Sequence, residues 1–285
     1  MLPVALISII FASTASIASA APVAAPIVSF YPENPIQGQP IAVMVARADD
    51  ASVRYIMLGP KVLSPFEYDG ATWALYGSDI KEKPATSTVL VSFADGRIVR
   101  SHIRLNQRPK IEAPFGIPAK LGGNTPAAAT TLVNTLEQEN KGLLGLETAP
   151  QSLWNKPFSY PLKDSIITDD YGYSRSTVGQ NITHKGTDFR ANETTPVLAM
   201  NDGIVRLVQE GRNYGKTVVI DHGLGVQTFY MHLSRIDVAQ GEKIRRGNRI
   251  GMAGQTGYAE AAHLHLTVRI NEVSVDPIVF LGLFK

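Results

Sequence analysis

Residues 261–270 read AAHLHLTVRI, and the alternation inside this stretch decides the fold class. Side chains two apart on a β-strand share a face, so His263 and His265 point one way while Leu264 and Leu266 point the other. The β-branched Thr267, Val268 and Ile270 that follow support a strand. The leucines belong to a core. One structural histidine on the opposite face needs a hydrogen-bond partner and two need two, so the pair points to a metal or to proton transfer.

Further strands with glycine-containing turns surround this one. GIVRLVQEG (203–211), GKTVVIDHG (215–223), VQTFYMHLS (226–234) and KIRRGNRIGMAG (243–254) carry strand patterning, which predicts a mainly antiparallel β domain over residues 154–285. Towards the N-terminus, IVSFY, IAVMVA, VRYIML, TWALYG, TVLVSF and IVRSHIRL read as short strands, with a hairpin signal at Asp95-Gly96. Their spacing predicts a small immunoglobulin-like β-sandwich over residues 21–105. Residues 106–153 read as a linker. Pro and Gly dominate its first part, and Thr125-Pro126 then supplies an N-cap and first-turn proline for a helix running to Gly142. The expected fold is therefore all-β, with two domains and a helical linker.

Bulk properties narrow the function. The 285 residues are 44% hydrophobic with a net charge of +2, and no basic block interleaved with aromatics speaks for nucleic acid. Residues 1–20 run from an apolar stretch, Val4 to Ala12, into Ala18-Ser19-Ala20, the pattern of a cleaved leader. The run falls short of the roughly 18 to 20 residues that span a bilayer, so export to the periplasm or the extracellular space is expected, without a stable anchor after cleavage. There is no cysteine, so a metal site must use His, Asp or Glu.

Three stretches of the C-terminal domain concentrate such residues: THKGTDF with His184 and Asp188, FYMHLS with His232, and HLHL with His263 and His265. A hydrolytic zinc site takes three protein ligands and leaves a position for water. Two histidines and one carboxylate would serve, leaving two histidines for protons and the oxyanion; spacing alone does not say which three bind. His222, in IDHGLG, is expected at a turn between strands, His102 in a structural or solvent-facing place, and Glu260 on an exposed loop.

Residues 155–285 resemble the lysostaphin-type (β-lytic, LytM-like) zinc metallopeptidases that cleave peptidoglycan peptides. The resemblance rests on HKGTDFRA (184–191), TPVLAMNDGIV (195–205), YGKTVVIDHG (214–223), TFYMHLS (228–234), VAQGEKIRRGNRIGMAGQTG (238–257), HLHL and VDPIVFL (275–281), in the family's order. It implies that His184, Asp188 and His265 are zinc ligands and that His232 and His263 are catalytic. His263 would act as general base and His232 would stabilise the tetrahedral oxyanion. The implied substrate is a stem peptide or cross-bridge of peptidoglycan, with an envelope partner for the N-terminal domain as a further expectation.

The chain departs from the family's pattern in two places. Glu260-Ala261-Ala262 stands where many relatives have Thr-Gly-Pro, and YGYSR (171–175) leaves Arg175 one position out of its usual place. The alternative function, a non-catalytic wall-binding protein or activator of an amidase, is associated with lost site residues, whereas all five are present. A further expectation is latency: the linker helix, with carboxamides at Asn134, Gln138 and Asn140, would fold over the groove and offer zinc a ligand in place of water.

Overall fold

The computed structural model describes residues 26–46, 51–114 and 116–284. The expected leader, residues 1–20, lies outside them. No helix among the described residues is long and apolar enough to cross a membrane.

The N-terminal strands form two four-stranded sheets. One has the order β1 (Ile27–Tyr31), β2 (Pro40–Ala46), β6 (Ala71–Gly77), β5 (Phe66–Tyr68); the other runs β4 (Lys61–Leu63), β3 (Val53–Leu58), β7 (Ala85–Phe93), β8 (Ile98–Leu105). This is the strand order of an immunoglobulin-type sandwich. Ile41, Val43, Val45 and Ala74 of the first sheet meet Ile56, Val89, Val91 and Phe93 of the second in a dry core. The short strands β4 and β5 have too few residues for alternation to betray them in the sequence.

The linker is built into the C-terminal domain. Glu112–Pro114 forms β9, which pairs in parallel with β11 (Ser174–Thr177), itself paired with β12 (Gln180–Thr183). Helix α1 (Pro126–Gly142) starts as expected, with Thr125 Oγ1 accepting from Ala128 N at 3.2 Å.

The C-terminal domain is organised on one large antiparallel sheet. Its order is β10 (Ile167–Asp169), β13 (Thr187–Arg190), β21 (His263–Ile270), β17 (Val226–Leu233), β16 (Gly215–Gly223), β15 (Gly203–Gly211), β19 (Lys243–Ile244). A smaller sheet of β14 (Pro196–Leu198), β20 (Arg249–Met252) and β18 (Arg235–Ile236) flanks it, and β22 (Val273–Val275) pairs with β21 ahead of helix α2 (Pro277–Leu283). Leu264, Leu266, Val268 and Ile270 of β21, with Tyr230 of β17, face the main core around Trp154, Phe158, Phe280 and Phe284.

The same core receives the outer face of the sandwich's first sheet. Ala42, Trp73 and Leu75 point out of the sandwich into it, and Trp73 stacks on Phe284 at 5.9 Å between centroids. Burying a large apolar side chain is worth about 1.5–3 kcal/mol, so an aromatic joint of this kind holds the two domains as one body. Arg108 reinforces it with polar bonds to Asp276 Oδ2 (3.0 Å), the Tyr171 carbonyl (3.2 Å) and the Gln37 carbonyl (2.8 Å). The sandwich packs on the leucine face of the large sheet. The histidine face is left to the site.

Candidate active site

Strand register brings the polar residues together. Asp188 of β13 lies opposite His265 of β21, and Met231 of β17 lies opposite His265 from the other side. In a regular strand His232 would share the face of Tyr230, which is core. A bulge prevents this: Met231 and His232 both fall between the Val218–Tyr230 and Lys216–Leu233 pairs, and His232 takes φ +62°. The left-handed residue and the extra position turn His232 back towards the histidine face, where it lines one cavity with Met231, His263 and His265.

Three ligand atoms converge. His184 Nε2 is 3.2 Å from Asp188 Oδ1 and 3.1 Å from His265 Nδ1, and His265 Nδ1 is 2.7 Å from Asp188 Oδ1. The opposite nitrogen of each ring already has a partner. His184 Nδ1–H donates to the Asp170 carbonyl at 2.7 Å. Thr267 Oγ1 donates to the Lys185 carbonyl at 3.0 Å and so accepts from His265 Nε2–H at 3.1 Å. With both protons engaged outward, two imidazole lone pairs and a carboxylate oxygen face one another, an arrangement suited to a cation. Tetrahedral zinc bonded to N and O ligands sets them about 3.4 Å apart, so a slight opening of this cluster seats the metal. The described residues fit zinc.

Two more imidazoles stand beside the ligands. His232 Nδ1–H donates to the Thr256 carbonyl at 2.9 Å, and His263 Nδ1–H donates to the Ala261 carbonyl at 2.9 Å. Each therefore presents an Nε2 lone pair, and the two rings are 4.8 Å apart between centroids. The cavity they share measures about 780 Å³ and is walled by α1 on one side and the β11–β12 hairpin on another. Burial works to raise the Asp188 carboxyl, but the facing His184 and His265 outweigh it and hold it well below the usual range. Burial, followed by the neighbouring His263 and His265, pushes His232 well below the ordinary imidazole value. Burial likewise brings His265 down to about 4.

Glycines permit the close approaches. A Cβ on Gly186 would lie 2.4 Å from His265 Nε2, and one on Gly215 would lie 2.3 Å from Thr256 Oγ1. The Gly215 contact brings the 254–257 loop, and so the Thr256 carbonyl, against His232.

Several residues fall elsewhere than expected. His222 is not in a turn; it is a fully buried member of β16, with Nδ1–H donating to the Asp202 carbonyl at 2.7 Å and Nε2 2.8 Å from Thr228 Oγ1. The latency expectation is corrected as well. Asn134 and Gln138 are exposed, while Asn140 gives its Nδ2–H to the Leu136 carbonyl and accepts the Tyr214 hydroxyl at 3.1 Å. Helix α1 instead serves as a wall, fastened by Glu139, which accepts from Asn213 N at 2.8 Å and Tyr214 N at 3.0 Å. The orienting carbonyls of Asp170, Thr256 and Ala261 were not foreseen, since a main-chain acceptor leaves no residue-type signal. Thr267 carried one: it follows His263 and His265 at the same period of two.

An antiparallel sheet presents two histidines and an aspartate to one point that could hold a metal ion, with two further histidines beside them. Residues 182–277 match the model of Peptidase family M23, so this segment of the chain is similar to the domains of that family. A Neisseria meningitidis DD-carboxypeptidase/endopeptidase is 38% identical over 119 residues, covering 41% of this chain and 27% of the relative. A Vibrio cholerae peptidoglycan DD-endopeptidase is 45% identical over 82 residues, covering 29% of this chain and 19% of the relative. The chain thus spans under a third of the length of these two relatives. A solved structure of a candidate M23 peptidase from Pseudomonas aeruginosa matches 88% of this chain and 96% of its own, at 25% identity and a TM-score of 0.62.

Proposed function

We propose that this protein is a zinc-dependent endopeptidase that hydrolyses peptide cross-links of bacterial peptidoglycan and acts outside the cytoplasm, where that substrate lies. The observation that carries the reading is the set of five side chains on one cavity: three lone-pair atoms converging for the metal, and two imidazoles with free Nε2 atoms beside them. Peptidoglycan as substrate is supported by the activities named for the relatives.

His184, Asp188 and His265 would hold zinc, which when bound supplies Lewis acidity that polarises a peptide carbonyl and lowers the pKa of water. His263, the more exposed of the remaining pair, accepts the proton of the attacking water at Nε2 and returns it to the leaving amine. His232 stabilises the tetrahedral oxyanion. The Thr256 carbonyl accepts from His232 Nδ1–H and so aims Nε2 into the cavity that it shares with His263. Burial of both His232 and Asp188 keeps bulk water from screening these interactions.

The test is chromatography of peptides released from intact peptidoglycan by the purified protein, with and without a zinc chelator. Chelator-sensitive release of uncross-linked stem peptides supports the reading. Zinc-loaded protein that releases nothing overturns it and leaves the amidase-activating alternative.

A further inference from the structure

Arg175 lies outside the family-matched segment and one position away from the usual place of its counterpart, yet its guanidinium reaches the candidate metal site. Its Nη2 donates to Asp188 Oδ2 at 3.0 Å and to Asp169 Oδ2, and it is largely buried between them. Asp169 and Asp188 are cross-strand partners on β10 and β13. Two carboxylates directly opposite one another repel, and the guanidinium between them is what makes the pairing tolerable.

The consequence falls on Asp188. Its Oδ1 is the atom that meets His184 and His265, while its Oδ2 is occupied by Arg175. We infer that Arg175 is a positioning residue that keeps Asp188 a one-oxygen metal ligand and keeps Asp169 out of the coordination sphere. The inference rests on the metal-site part of the proposed function and extends it to a residue on a strand that the linker pairs with. Arg175 sits on β11, in register with Ala113 of β9, so the chain joining the two domains sets the depth at which the guanidinium enters. Without it, Oδ2 of Asp188 and the carboxylate of Asp169 are both free to bind the metal, and the geometry changes from three protein ligand atoms towards four or five.

The experiment uses the full chain and its R175Q, R175K and D169N variants. Two readouts are taken: the zinc dissociation constant by competition with a chromogenic chelator, and the visible absorption of the cobalt(II)-substituted protein, which reports coordination number. Removing the outer partner of a metal ligand typically costs 10–100-fold in affinity, and that loss is expected for R175Q, together with weaker cobalt bands as coordination rises. R175K, which restores a cation, recovers part of the loss. D169N, which leaves the Arg175–Asp188 bond, loses less than R175Q. Folded R175Q with both readouts within twofold of the parent overturns the inference. Should R175Q fail to fold by circular dichroism of the metal-free protein, R175K decides: weakened zinc binding with a changed cobalt spectrum supports the inference, and parental values for both overturn it. A parent chain that binds neither metal overturns the metal-site reading itself, a separate result from equal binding by parent and variants.

Discussion

Acid should destabilise the fold through His222 independently of the metal site, and the size of the effect follows from the burial of that residue. The ring is fully buried in β16, packed edge-on against Phe158 at 5.1 Å, and burial brings it from 6.5 down to about 4. The unfolded chain takes up the proton near pH 6.5 and the folded chain near pH 4, so between these values the unfolded state binds more protons. The stability His222 contributes as a neutral ring is complete above pH 6.5 and is lost as pH falls towards 4. A tenfold difference in proton affinity between the two states is worth about 1.36 kcal/mol, so the full loss is about 3 kcal/mol. The assay is urea unfolding of metal-free protein at several pH values in that window, for the parent and for His222→Asn. Asn keeps a donor for the Asp202 carbonyl and does not titrate. The variant starts less stable at pH 7, but its stability should fall by about 3 kcal/mol less than the parent's between pH 6.5 and 4. Parallel curves for the two proteins would show that His222 does not titrate with the fold, and would refute the reasoning.

Three further outcomes follow from named contacts. His263→Ala and His232→Ala should each lower chelator-sensitive peptide release by about 10²–10⁴-fold, as loss of a proton-transfer or oxyanion group does, with zinc content unchanged by metal analysis. Gly186→Ala places a methyl 2.4 Å from His265 Nε2 and 2.6 Å from the Leu266 carbonyl, so it should cost about 1–3 kcal/mol in urea unfolding and weaken zinc binding in the same chelator competition. Tyr230→Phe leaves the buried Met200 N–H, now bonded to the Tyr230 hydroxyl at 2.9 Å, without an acceptor, and should cost about 1–3 kcal/mol with peptide release unaffected per folded molecule.

What could be read from the sequence, and what could not, divides along a physical line. Strand β15 was legible to the residue and β16 as far as Ile220 because glycine and alternation mark them, β21 through the alternation of its histidines and leucines, and α1 because Thr125 and Pro126 are its own start signal. The all-β class follows from these patterns. Strand β2, PIAVMVA, is apolar on both faces, a sign of double burial whose second partner, the aromatic joint around Trp73 and Phe284, no local pattern names. The placement of His232 contradicts its own strand's alternation, because a non-glycine residue at φ +62° leaves no compositional trace. The backbone acceptors that orient the imidazoles are equally silent, since Asp170, Thr256 and Ala261 offer a carbonyl that any residue would offer. Their positions are nonetheless encoded at second hand. Gly215 and Gly257 are the places where a side chain would collide with the neighbouring loop, at 2.3 Å and 2.4 Å, so the glycines of YGK and GQTG specify the approach that puts the Thr256 carbonyl on His232. In this domain the glycine spacing locates the geometry of the candidate site as surely as the histidines supply its ring nitrogens, and a substitution at Gly215 should disturb His232 without touching it.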